Sequence, residues 1–289
     1  AETEQEQYSI TPSFAGSPAT PKNRNSALAA DLAHNGDTWT FSASARQDFN
    51  DRFDDAATWR LGAGYNFAWN ARLRASIGKG VKNPSLIELF GFFPETNFVG
   101  NPDLKPESSI GFNVGYEQSF DYGSVSIDYF KSDLEDEIFT DFSSFPFLPR
   151  NRDTDSTREG VELEGRWSPD DTLNIHSSAT FLKADENGAQ EIRRPEFLAS
   201  TSITWIPINT LSLSLSADHT GEQIDTNFGT FSNVTLDAFT LVSANARYRL
   251  GKNWTVNLRG ENLLDEQYQE VFGYASQGRG IYLGLAADF

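Results

Sequence analysis

Apolar and polar residues alternate one for one through much of this chain, and that alternation restricts its folds more than any other feature. Ile110, Phe112, Val114 and Tyr116 are interleaved with Gly111, Asn113, Gly115 and Glu117. Val125, Ile127 and Tyr129 alternate with Ser124, Ser126 and Asp128, and Val161, Leu163 and Trp167 with Glu162, Glu164 and Arg166. Leu211, Leu213, Leu215 and Ala217 alternate with Ser212, Ser214, Ser216 and Asp218, and Trp254, Val256 and Leu258 with Thr255, Asn257 and Arg259. A period of two is the signature of strands with one apolar and one polar face.

The connections between these strands narrow the choice. Short ones carry turn-forming residues: His34 to Asp37, Trp69 and Asn70, Asp121 to Gly123, Ser168 to Asp171, Pro207 to Asn209, and Gly251 to Asn253. Longer segments lie between them, at about 14–25, 50–56, 82–106, 132–156, 184–194, 222–237 and 262–278. Division at these points gives about fourteen strands, each with room for the roughly 9–11 residues a tilted membrane strand needs. A solvated antiparallel sheet shows the same alternation. Short turns at one end and long loops at the other are instead the asymmetry of outer-membrane barrels. The fold expected is all-β: a transmembrane antiparallel up-and-down β-barrel, residues 1–289 forming one domain, with short periplasmic turns and long extracellular loops. Its apolar face would meet lipid and its charged face a watery lumen.

Composition agrees. Hydrophobic residues make up 38% and mean hydropathy is −0.48. With no run of roughly 18 apolar residues, a helical membrane protein is excluded. A net charge of −18 argues against nucleic acid, whose phosphates need clustered Lys and Arg. The absence of Cys removes disulfides, thiolate metal sites and thiol nucleophiles. The absence of Met marks Ala1 as a processed mature end or the start of a fragment, with no signal peptide expected.

Little in the sequence suggests covalent chemistry, and no enzyme, cofactor or metal centre is expected. His34, His176 and His219 are far apart, and no GxSxG motif occurs. The acidic run from Leu134 to Asp141 offers oxygens to Ca²⁺ but lacks the spacing of a calcium loop. Gly78 to Gly80 is too short for a phosphate loop. The long loops are instead rich in aromatic residues, which are costly to expose unless they pack together or bind something. Candidate ligand-binding residues are Phe92, Phe93, Asn97 and Phe98 in one loop, Phe142, Phe147 and Arg150 in the next, and Phe228, Tyr268 and Tyr274 in later ones. Arg193 and Arg194 are candidates for an anionic ligand or lipopolysaccharide, against the plainer alternative of pairing with nearby acids.

Three motifs carry a family resemblance. NPSLIELFG (83–91) followed by GNPDLKPE (100–107) resembles a long external loop of TonB-dependent outer-membrane receptors. ENLLDEQYQEVFGYASQGRG (261–280) is similar to their closing segment, and TREGVELEGRW (157–167) to one of their strands. The final residues alternate through Ile281, Leu283, Leu285 and Ala287 to Phe289, like the C-terminal signal read by the barrel-assembly machinery. The resemblance is nearest to the cobalamin and siderophore receptors. It implies a Gram-negative outer-membrane location and uptake of a scarce nutrient, a corrinoid or metal chelate, by binding and gated passage. The partners implied are outer-membrane lipid and lipopolysaccharide, a small-molecule nutrient, and an energy-coupling protein only where a plug is supplied elsewhere. A plug-free passive pore is the alternative, and a soluble β-rich binding protein a third. Family members close a 22-stranded barrel around an N-terminal plug, whereas this chain resembles only the C-terminal part of that barrel. A fragment, half of a split receptor and a shortened self-closing barrel are all compatible with it.

Overall fold

The computed structural model describes residues 2–7, 22–91, 99–143 and 145–287, the first of these as backbone alone. Among the described residues the elements run β1 (Glu2–Gln7), β2 (Lys22–Asn35), β3 (Trp39–Asn50), β4 (Ala56–Phe67), β5 (Ala71–Lys82), α1 (Leu86–Phe90), β6 (Glu107–Phe120) and β7 (Gly123–Glu135). They continue with β8 (Ile138–Asp141), β9 (Leu148–Asn151), β10 (Ser156–Asp170), β11 (Leu173–Glu186), β12 (Ala189–Gln190) and β13 (Phe197–Ile208). The last are β14 (Leu211–Thr220), β15 (Gln223–Asn227), β16 (Ser232–Leu236), β17 (Phe239–Leu250), β18 (Trp254–Glu261) and β19 (Gly280–Ala287).

Fourteen of these strands follow one another along a single hydrogen-bonded path, β1-β2-β3-β4-β5-β6-β7-β10-β11-β13-β14-β17-β18-β19. This is the up-and-down order and strand number expected from the alternation. All six short turns fall where the turn residues put them, and all the long connections lie between the other strand pairs. The additional strands are decorations of those loops: β8 pairs with β9, β15 with β16, and β12 with β11.

The chain divides into two compact units. The first comprises residues 1–66, 74–114 and 130–158, the second 67–73, 115–129 and 159–289. In the second, register builds continuous rows across strands. Ile203, Leu215, Ala244, Gly260 and Ile281 stand opposite one another in turn, as do Trp205, Leu213, Ala246, Leu258 and Leu283. The neighbouring row is Thr204, Ser214, Asn245, Arg259 and Tyr282. In the first unit Leu32, Ala43 and Leu61 form an apolar row beside Asp31, Ser44 and Arg60. A one-residue slip anywhere would interchange the two faces.

The apolar rows are not packed into a core, and their large side chains stay uncovered. Leu283 is 77% exposed and Leu32 73%, whereas a soluble sandwich packs such rows into its core. Strands that expose their leucines and turn serines and arginines the other way fit a lipid surroundings. Tryptophans mark the turn ends of these strands. Trp39, Trp69, Trp167, Trp205 and Trp254 all stand in or within a few residues of a short turn. Their rings cluster locally, Trp39 edge-on to Tyr65 at 4.5 Å and Trp69 against Phe67 at 4.5 Å. Amphipathic rings near strand ends are what a membrane–water interface favours.

Candidate functional site

The loops hold most of what is deeply buried, and in the first unit the motif residues form that packing. Ser85 caps α1, accepting from the Glu88 N–H at 3.2 Å, while the Glu88 carboxylate accepts from the Ser85 N–H at 2.7 Å. This reciprocal box fixes the helix start. Leu86, Leu89 and Leu104 then pack together, with Phe53, Phe90 and Ile138 against them. Leu89 is 1% exposed. Gly91 ends the helix at φ 81°, a conformation costly for other residues. Gly100 lies so close to the Phe90 and Gly91 backbone nitrogens that a Cβ would overlap them.

The same motif reaches the next loop. The Asn101 amide donates to the Pro149 carbonyl at 2.9 Å, and the Val99 N–H to that of Phe147 at 3.1 Å. Asn151 accepts from the Lys105 N–H and donates to the Lys105 and Asp136 carbonyls. Glu107 accepts from Lys82 at 3.0 Å and from the Ile138 N–H at 2.9 Å. NPSLIELFG and GNPDLKPE are therefore a structural staple of two loops.

The acidic run is absorbed in the same way. Glu137 accepts from Ser156 and Arg158, each at 2.8 Å, and lies 3.8 Å from Arg152. Asp141 accepts from the Ser143 hydroxyl and N–H, and from Arg150 Nε at 2.9 Å. The Ser143 bonds, with Arg150 after them, hold its carboxyl below the usual range. Among the described residues no group of three or more His, Asp or Glu is placed to hold a metal ion.

In the second unit three loops meet at Asp225. Its carboxylate is completely buried and accepts from Arg193 Nε, the Thr226 N–H and the Phe272 N–H, each at 2.7 Å. Burial pushes its pKa up, and these donors overcome that and leave it lowered. Gln223 donates to the Glu270 carbonyl at 3.1 Å, and the Arg193 N–H to that of Ile224 at 2.8 Å. The loop from 262 to 279 is braced internally. Asn262 donates to the Glu266 and Gln277 carbonyls, and Asp265 accepts from the Arg279 N–H at 2.9 Å. The NLLD and GR elements are thus the two ends of one brace.

Of the sequence-derived candidates, Phe92, Phe93, Asn97 and Phe98 lie outside the described residues, as does Phe289. Phe142 and Phe147 pack edge-to-face at 5.3 Å, with Phe145 6.0 Å from Phe147. Arg150 is engaged by Asp141. Tyr268 packs at a tilt against Phe239, ring centroids 4.4 Å apart, and lines a cavity of about 510 Å³. Tyr274 is 72% exposed, and Phe228 is also exposed. Arg193 and Arg194 pair with acids, Asp225 and Glu191. The histidines have ordinary local partners: His34 stacks with Phe41, His176 meets Glu164 at 3.0 Å, and His219 meets Thr240 at 2.8 Å. Asp225 was not anticipated from sequence.

Comparison with known proteins agrees with the architecture. Residues 3–263 match the family described as "TonB dependent receptor-like, beta-barrel". The chain is 30% identical over 258 residues to the vitamin B12 transporter BtuB of Photobacterium profundum, covering 87% of this chain and 41% of that protein. It is 26% identical over 271 residues to the BtuB proteins of Vibrio cholerae strains, covering 92% and 42%. Among solved structures, a ferric enterobactin receptor (PfeA) mutant from Pseudomonas aeruginosa matches with TM-score 0.77 at 20% identity, over 97% of this chain and 47% of that one. The copper transporter OprC matches with TM-score 0.76 at 16% identity, over 95% and 51%. The chain thus spans about two fifths of the length of the curated relatives it matches. With its strand path, exposed apolar rows and stapled loops, it belongs to the TonB-dependent receptor β-barrel family of the Gram-negative outer membrane.

Proposed function

We propose that this chain contributes the barrel wall and outer loops of a receptor that takes up a scarce nutrient, a corrinoid or a metal chelate. Residues 1–289 act within one barrel domain. The observation that carries the reading is the 30% identity to a vitamin B12 transporter across 87% of the chain. The loop architecture supports it: internal staples fix the backbone, leaving Phe142, Phe228, Tyr268 and Tyr274 as aromatic surface for a ligand. Binding and gated passage need no covalent step, and the polar strand face offers hydrogen-bonding groups along the path.

An energy-coupling partner acts only where a plug is supplied elsewhere, and lipid and lipopolysaccharide contact the apolar face. Equilibrium titration of the complete receptor in detergent with cyanocobalamin, and separately with a ferric chelate, tests this. Saturable binding of one at nanomolar to micromolar concentration is expected. Absence of binding to either, with steady ion conductance in a planar bilayer, would make the barrel a passive pore instead.

A further inference from the structure

The second unit contains the cavity that Tyr268 lines. It opens between the link joining β16 to β17 and the loop from 262 to 279, and its volume is about 510 Å³. Leu236 and Phe239, both buried, line it, and Tyr268 packs at a tilt against Phe239. Phe272 lines it further, anchored through its N–H to the buried Asp225. The wall therefore rests on a fixed backbone, which is what a preformed ligand site requires.

Its charge is one-sided. Asp237 and Glu266 line it, and no Lys, Arg or His does. Among the described residues neither carboxylate is held by a hydrogen bond or a salt bridge, in contrast to Asp225, Asp141 and Glu137. The three loops of this unit, residues 187–196, 221–238 and 262–279, carry eight Asp or Glu against three Arg. Of those arginines, Arg193 and Arg194 are committed to Asp225 and Glu191. Gln267 and Gln269 supply neutral amides.

We infer that this cavity selects ligands by charge: it binds an uncharged or cationic molecule with a flat apolar face and N–H or O–H donors, and rejects anions. The rings take the flat face, and the two carboxylates accept from the donors. An anionic chelate would bring like charge against Asp237 and Glu266 without a counter-ion, an arrangement that discriminates strongly between partners. This inference rests on the receptor reading and narrows it, favouring a neutral corrinoid over a polyanionic iron chelate.

The test uses the complete receptor in detergent and two planar fluorescent dyes of one scaffold, one cationic and one sulfonated, followed by polarisation. The cationic dye should bind at least about tenfold more tightly than the sulfonated one. The double substitution Asp237→Asn with Glu266→Gln should bring the two within about threefold, and Tyr268→Ala should weaken both. Equal affinities in the unsubstituted receptor, or a ratio unmoved by the double substitution, would overturn the inference. Cyanocobalamin is titrated in parallel. Dye discrimination without corrinoid binding would leave the charge-selective cavity standing and remove the corrinoid as its ligand.

Discussion

Asp225 is the residue on which the second unit's loops depend most. It sits 32 residues from Arg193 and 47 from Phe272, and it is fully buried between them. Asp225→Asn keeps one acceptor oxygen and loses the charge, so it should loosen these loops by about 1–3 kcal/mol. Hydrogen exchange at the Thr226 and Phe272 amides would read that directly, with the strand amides unchanged. The pH dependence has a definite sign. A carboxylate held below its ordinary range contributes stability at neutral pH and loses it as pH falls through the lowered value. Protection of the two amides should therefore be flat from about pH 8 to 5 and decline only below about 4. Nothing local to Asp225 in the sequence signals this role, because its partners come from other loops. Gly100 is the opposite case. It belongs to a legible motif, and its Cβ space is occupied by the Phe90 and Gly91 backbone. Gly100→Ala should expose the 83–106 loop to protease while leaving the strands folded.

At the scale of elements, the strands were legible and the loop interiors were not. Period two and turn residues are local properties, so β13, β14, β17, β18 and β19 can be placed without knowing their neighbours. The pairing that turns alternation into continuous rows follows once the order is up-and-down. Helix α1 lies inside what reads as a Gly, Pro and Phe-rich loop, and its five residues are too few for a helical period to emerge. The β8–β9 and β15–β16 hairpins were hidden for the same reason. The aromatic candidates differ in packing, which tertiary contacts set: Phe142 meets Phe147 and Tyr268 meets Phe239, while Phe142, Phe228 and Tyr274 all keep exposed ring surface.

Two substitutions probe these elements. Leu89→Ala should cost the α1 cluster about 2–4 kcal/mol, seen as faster exchange at Asn101 and Leu104. Leu215→Lys, on an apolar row, should destabilise the barrel in bilayers by about 2–4 kcal/mol. Ser216→Lys, next to it on the polar row, should cost under about 1 kcal/mol. Equal costs would contradict the assignment of faces.

For the whole molecule, the family assignment and the exposed apolar rows place the chain in the outer membrane. What distinguishes a receptor from a pore of the same strands is gated, energy-dependent passage of one ligand. The most direct measurement is uptake of radiolabelled cyanocobalamin by cells with the complete receptor gene present, deleted or restored, with and without collapse of the proton gradient. Saturable uptake is expected that disappears on deletion, returns on restoration and stops when the gradient is collapsed. Uptake indifferent to the gradient would make the barrel a passive channel. Uptake indifferent to the gene, for this corrinoid and for ferric chelates alike, would contradict the nutrient-receptor assignment itself.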